Sequence, residues 1–255
     1  MKILVTNDDG IDAQGISILA DVARQFGDVT VVAPRYHHSG CSHQMTFEGQ
    51  LDTQRVDEGR FWVDGYPSDC VRLALAHLCD HVDLVLSGVN HGSNLGLDNF
   101  ISGTVAAARE ATFFGLPAIA VSQYHRGLDD DVWEAARVLT RRSLEYVLDG
   151  RLRNSHYWNV NFPIVGERDP ELIEIGEGVL DRAPLPADYS PNLTGYMYEG
   201  DYHARDYSPG TDIDLIQRGH VAMTLVNPFA GSSEATQLHG QLQDDPANGL
   251  RLNND

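Results

Sequence analysis

The sequence predicts an α/β fold in which a mostly parallel sheet is covered by helices on both faces. Strand-like and helix-like segments alternate from the first residues to position 162. The first strand-like segment is a short continuous apolar run broken by a polar turn, which is the pattern of a buried parallel strand. At 255 residues the chain is long enough for a full core, as one large domain or one domain with an extension.

The elements follow in order. Lys2–Asn7 is a first strand ending in Asp8-Asp9-Gly10. A helix is expected over Gly15–Phe26, with Ile16, Leu19, Ala20, Ala23 and Phe26 at helical spacing. Val29–Ala33 is a second strand, stopped by Pro34. Arg35–Met45 is polar and glycine-containing, hence a loop. Phe47–Arg55 and Phe61–Asp64 read as a hairpin around Asp57-Glu58-Gly59. Ser68 is placed to cap a helix reaching Leu78. Val82–Ser87 is a strand, Gly88–Ser102 a long polar loop, Thr104–Phe114 a helix, Pro117–Ser122 a strand, Val132–Leu148 a helix and Tyr157–Phe162 a strand. Asp181–Tyr207 shows no core pattern and reads as an excursion. A short helix over Thr211–Arg218 and a strand over His220–Val226 precede a polar tail after Gly231.

Composition narrows the function. The formal net charge is −19, aspartate outnumbers glutamate, and Lys2 is the only lysine. Such a surface repels a nucleic-acid backbone, so duplex binding is not expected. Carboxylates without lysine suit a protein working in concentrated salt, where screening suppresses self-repulsion. No apolar run is long enough to span a membrane, and no basic region leads into a signal-like apolar stretch, so a cytoplasmic protein is expected. Cys41, Cys70 and Cys79 are too few for a disulfide framework or a zinc cluster.

Ligand crevices in open α/β sheets lie beyond the carboxyl ends of the strands. Asp8 and Asp9 sit at such an end. Adjacent carboxylates repel unless a cation or a shared proton compensates, and Mg²⁺ is commonly held by one or two carboxylates plus phosphate oxygens. Turn formation or helix capping would use the same residues without a metal. Two further loops follow apolar strands: Ser39-Gly40, and Ser87 to Gly96 leading into Ser102-Gly103-Thr104. Parallel strands would bring all three loops to one edge. Glycine admits close approach of a ligand, and the helix after Ser102 offers free N–H groups to an anion. Ser102 taken alone reads as a plain N-cap.

Six short motifs in order are similar to the SurE family of metal-dependent nucleotide phosphatases. They are Ile3–Gly10, Ala33-Pro34 through Ser39-Gly40, Gly65–Val71, Ser87–Gly96, Ser102–Ala108 and Gly210-Thr211-Asp212. The resemblance implies a Rossmann-like, three-layer α/β/α core forming one domain over 1–255, with about 180–208 as an excursion and 232–255 as a tail. It also implies a C-terminal hairpin and helix extension used in oligomer contacts, in a homo-oligomer (dimer or tetramer). Its implied activity is hydrolysis of nucleoside monophosphates with one divalent metal per subunit, Mg²⁺ or Mn²⁺, on Asp8, Asp9, Ser39 and Asn90. Three stretches depart from the family pattern: Arg35 stands where the family usually has an acidic residue, Cys41-Ser42-His43 where it has a small residue and an asparagine, and Ala111 where it has a glycine.

The expected chemistry is in-line attack of water on a clamped phosphate. Asp8 or Asp9 would orient or deprotonate the water, while Gly40, Asn94, Ser102, Gly103 and Thr104 hold phosphate oxygens. A phospho-aspartate route competes with it. His37, His38 and His43 are expected in a solvated loop, Cys41 as structural, and Arg109 on the surface. A dinucleotide-binding dehydrogenase lacks its glycine fingerprint after strand one, and a haloacid-dehalogenase-type phosphatase would want Asp-x-Asp. A non-catalytic metal or nucleotide sensor would use the same ligands and is separated by phosphate release.

Overall fold

In the first strand, β1 (Lys2–Thr6), Ile3, Leu4 and Val5 are all buried, so both of its faces need cover. The computed structural model, which describes residues 1–124, 131–201 and 204–230, supplies a helical layer on each side. The elements continue as α1 (Gln14–Ala23), β2 (Asp28–Pro34), β3 (Thr53–Asp57), β4 (Arg60–Val63), α2 (Pro67–Leu73) and β5 (Leu84–His91). Then come α3 (Asp98–Ile101), α4 (Gly103–Phe113), β6 (Ala118–Gln123), α5 (Asp131–Leu148), β7 (Tyr157–Phe162) and β8 (Ile175–Glu177). The hairpin β9 (Tyr189–Asn192) and β10 (Gly195–Tyr198), then α6 (Asp212–Gln217) and β11 (Val221–Val226), complete the described chain.

The main sheet runs β3-β4-β2-β1-β5-β6-β7-β11-β8. Its pairings from β4 through β7 are parallel, and β3–β4 and β7–β11 are antiparallel. The period of two sorts the central strands. Ile3, Val5, Leu86 and Val121 pack with Ile16 and Leu19 of α1 and with Leu139 and Leu144 of α5. Leu4, Val32, Val85 and Ala120 pack on the other side with Val71 of α2 and Val105 and Ala108 of α4. The expected α/β fold, a mostly parallel sheet between two helical layers, is therefore what forms.

Several boundaries differ from expectation. Between Pro34 and Thr53 no strand forms, and Phe47, expected to open a hairpin strand, is exposed. Ser68 does not cap α2. Pro67 occupies the first helical position, and the Asp69 carboxylate accepts the Tyr66 N–H at 3.0 Å. The helix ends in a π-helical turn over Ala74–Leu78. The segment expected as one loop over Gly88–Ser102 instead extends β5 to His91 and forms α3, because pairing with β6 reaches His91↔Gln123. The short edge strand β8 has no periodic signal in its three residues.

The excursion is not wholly outside the core. Asp181 and Arg205 at its roots are buried, and Arg205 pairs with buried Asp98 at 3.1 Å. Asp212 of α6 accepts the N–H groups of Gly96 (2.7 Å) and Asp181 (3.0 Å), tying the excursion to the loop after β5. Between these roots, β9 and β10 form a separate antiparallel pair with Tyr189, Tyr196 and Tyr198 exposed. Tyr202 and the expected tail over 232–255 lie outside the described residues.

Candidate active site

β1 ends in a turn closed by one side chain. Asn7 donates Nδ2–H to Gly10 O at 2.9 Å, and its Oδ1 accepts the Gly10 N–H at 3.2 Å. Gly10 has φ +101°, which L side chains rarely adopt, and a Cβ there would lie 3.3 Å from the Tyr36 carbonyl carbon. The turn leaves Asp8 and Asp9 at the carboxyl edge of the sheet, beside the ends of parallel β2 and β5.

Asp8 is 4% exposed. Its Oδ1 accepts the Thr104 hydroxyl, and its backbone carbonyl accepts the His38 N–H at 2.7 Å. Burial pushes its carboxyl from 3.8 up to about 6; the Thr104 bond opposes that rise and the neighbouring Asp9 charge adds to it. Asp9 is partly exposed. Its Oδ2 accepts the His91 N–H at the end of β5 (3.1 Å), and its Oδ1 stands 3.6 Å from His37 Nε2.

The N-terminus of α4 closes the site. Ser102 is the N-cap, accepting the Val105 N–H at 3.1 Å, and Gly103 follows without a side chain. A Cβ on Gly103 would stand 2.9 Å from Asp8 Oδ2 and 2.7 Å from Cys41 Sγ. This is a cradle that only glycine leaves open. Cys41 is half-buried there, and burial first, then the Asp8 charge, push its thiol up to about 11. A thiol so protonated at neutral pH is a poor nucleophile.

Asp8, Asp9, Gly103 and Thr104 thus come together directly. Asn90 lies near the end of β5, its Nδ2 donating to Gly92 O at 2.8 Å, which orients the amide and leaves Oδ1 as the atom that could hold a cation. Ser39 and Gly40 are exposed on the loop after β2, joined to the site through His38 and Cys41. Asn94 is drawn into the interior. Its Nδ2 donates to Ser122 Oγ (2.7 Å), its N–H to Asn161 Oδ1 (2.8 Å), and its carbonyl accepts from Asn159 (2.7 Å). That amide holds the loop in place.

Two expectations about the flanking loop are corrected. His43 is not a solvated loop residue, since its Nε2 lies 2.8 Å from the Glu110 carboxylate and its Nδ1 3.2 Å from Arg109. Arg109 is half-buried, also donating to Asn99 O at 2.6 Å. These partners are separated by tens of residues in sequence, and no local pattern pairs them. Concavity alone would mislead: a cavity of about 280 Å³ opens at the opposite end of the strands, lined by Lys2, Thr30, Cys79 and His81.

The donor set suits a hard cation. Among the described residues no three His, Cys, Asp or Glu side chains cluster as a ligand set. A cation at the strand edge would rest on two carboxylates, supplemented by hydroxyl, amide and phosphate oxygens, which is how Mg²⁺ is usually bound. The raised Asp8 carboxyl fits this, because a cation would offset the burial that disfavours its charge.

Comparison with known proteins agrees with this architecture. Residues 3–179 match the family described as survival protein SurE. A Nostoc sp. protein is 41% identical over 226 residues, covering 88% of this chain and 98% of its own. A Legionella pneumophila protein named 5'-nucleotidase SurE is 37% identical over 227 residues, covering 88% of this chain and 90% of its own. The crystal structure of the SurE protein from Aquifex aeolicus superposes with a TM-score of 0.82 at 29% identity, covering 96% of this chain and all of that one.

Proposed function

Because this chain belongs to the SurE family, we propose that it is a metal-dependent nucleotidase, releasing inorganic phosphate from nucleoside 5'-monophosphates and also from 3'-monophosphates. One observation carries the reading. At the carboxyl edge of the parallel strands, the Asp8–Asp9 pair meets the open N-terminus of α4, with Thr104 bonded to Asp8. Carboxylates suit a cation and the helix start suits a phosphate, and a phosphomonoesterase needs both.

Asp8, Asp9, Ser39 and Asn90 would hold one divalent ion, Mg²⁺ or Mn²⁺, per subunit. When bound, that ion would neutralise charge on the phosphoryl oxygens. The backbone N–H groups at the start of α4, with Gly103 leaving room for close approach, would bind the oxygens turned away from the carboxylates. Gly40 and Ser102 would border the same oxygens, and Thr104 fixes the orientation of the Asp8 carboxylate. Asp9, the more exposed of the pair, would orient the attacking water and accept its proton. Asn94 would act from behind, holding the loop that carries Asn90.

The same reading extends to the rest of the chain. Residues 1–255 make one domain, in which the exposed tyrosines of β9 and β10 meet a second copy in a homo-oligomer. No described helix is long and apolar enough to cross a membrane, in keeping with a cytoplasmic enzyme. The acidic, nearly lysine-free composition is in keeping with a salt-loving source.

The test is phosphate release from a panel of 5'- and 3'-nucleotides, first in excess chelator and then with Mg²⁺ or Mn²⁺ restored. Activity that vanishes with chelator, returns with metal and is lost in Asp9→Asn supports the reading. Full activity in metal-free buffer refutes the metal, and binding of nucleotide without turnover points to a sensor.

A further inference from the structure

Ser39 and Gly40 lie in residues 35–52, which form no helix or strand. Gly40 takes φ +68° with nothing within 4 Å of where its Cβ would be. The loop cannot hold a ligand in place by its own packing, so its position must be imposed from both sides. On the side of the carboxylates, His38 N–H bonds the Asp8 carbonyl. The other side is held by a cluster on the second half of α4.

We propose that His43, Glu110 and Arg109 are positioning residues that clamp the Ser39 loop onto α4; the proposal rests on the reading of Ser39 as part of the site. Arg109 offers only donors, so its contact at 3.2 Å makes His43 Nδ1 the acceptor and leaves the proton on Nε2. That Nε2–H donates to Glu110 Oε2 at 2.8 Å. The Glu110 side chain is only 2% exposed, and its second oxygen accepts from Arg72 of α2 at 2.8 Å. The imidazole also stacks on Phe113, one turn further along α4, with ring centres 5.5 Å apart. Next to it, Ser42 takes φ +54° and bonds twice to the end of α3: its N–H to Ile101 O (2.9 Å) and its hydroxyl to Phe100 O (3.0 Å).

The geometry makes α4 a strut between two jobs. Its first turn holds Asp8 through Thr104, and its seventh and eighth residues, Arg109 and Glu110, hold the loop that brings Ser39 towards Asp8. Burial alone would raise the Glu110 carboxyl, but the bonds from His43 and Arg72 outweigh it and hold it below the usual range. Glu110 is therefore a fixed charge that accepts both donors.

The loop carries its own reporter. Cys41 Sγ packs against Gly103, so a loop that lifts from α4 exposes it. The experiment uses the full chain in a Cys79→Ser background, where fully buried Cys70 reports unfolding. It measures the rate of Cys41 modification by an aromatic disulfide reagent, and the Mn²⁺ concentration giving half-maximal phosphate release from a nucleoside monophosphate. His43→Ala and Glu110→Gln should each raise both by about tenfold, the factor expected for one charge-assisted hydrogen bond, with Cys70 protected. His43→Gln, whose amide N–H replaces the Nε2 donor, should return both to within about threefold of the parent. Should Glu110→Gln not fold, His43→Ala at its partly exposed position decides alone. Cys41 rates and Mn²⁺ requirements within about twofold of the parent in His43→Ala would overturn the clamp, since a lost bond is worth more than that. If the parent shows no metal-dependent hydrolysis, the nucleotidase reading fails, and the Cys41 rates still decide whether the clamp exists.

Discussion

Replacing Asp8 by asparagine should abolish catalysis and, in the metal-free protein, stabilise the fold. The displacement of its carboxyl from 3.8 to about 6 corresponds to roughly 3 kcal/mol at about 1.36 kcal/mol per pH unit. The sign follows from linkage. Between those two values the native state holds a proton that the unfolded chain has lost, so stability falls as pH rises through the window. Below about 3.8 the group is neutral in both states and costs nothing; above about 6 the full cost is present. Asparagine keeps the shape and an oxygen for the Thr104 hydroxyl, but never ionises. Allowing for relaxation around the site, Asp8→Asn should gain about 2 kcal/mol at pH 7, or roughly 4–8 °C in melting temperature for a chain of this size. The assay is thermal or urea unfolding of parent and variant in excess chelator from pH 4 to pH 8. The curves should coincide near pH 4 and separate through pH 6. Saturating Mn²⁺ should close the gap at pH 7, because a bound cation favours the ionised carboxylate of the parent. A variant that is equal or less stable at pH 7 in chelator would refute the reasoning, as would a gap independent of pH.

Further expectations follow from the same site and surface. Gly103→Ala should keep the helix, where alanine is the better former, yet cut phosphate release by about tenfold or more, since steady-state kinetics would register a methyl forced against the Asp8 carboxylate and displacing it; activity close to the parent would show that the cradle tolerates a side chain. With 37 acidic residues against 18 basic ones, the melting temperature in KCl should keep rising at molar salt, where the Debye length is only about 3 Å and simple screening is exhausted. A plateau below about half-molar salt would return the chain to ordinary acidic proteins. Light scattering at micromolar concentration should show an oligomer, with Tyr196→Asp in the exposed hairpin shifting it towards monomer; a parent found only as monomer would contradict a role for β9 and β10 in assembly.

Much of the architecture was legible because it is decided locally. Tyr157–Phe162 runs as anticipated, since Tyr157, Trp158, Val160 and Phe162 mark a short strand whose six residues are all buried. The Asp8–Asp9 turn was legible too, because a strand, a polar turn and a glycine needing positive φ all fall within nine residues. The surroundings of Asn94, expected among the phosphate donors, were not legible, because its partners Ser122, Asn159 and Asn161 lie on two other strands. Ser68 was misread for a related reason, because Asp69, its neighbour, caps the helix start from within the first turn.

By itself, then, the sequence determined the alternation of strand and helix, the acidic surface, and the pair of carboxylates at a strand end, all set by periodicity, composition and turn chemistry over short stretches. Only the tertiary structure decided which distant groups meet. It buried Asp8 under Thr104, 96 residues away, and so raised its carboxyl; it joined His43 to Glu110 across 67 residues. Burial and pairing of charges depend on which strands lie side by side and which helix covers them. Each central strand is apolar on both faces, so its own pattern does not say which helix will lie on which side.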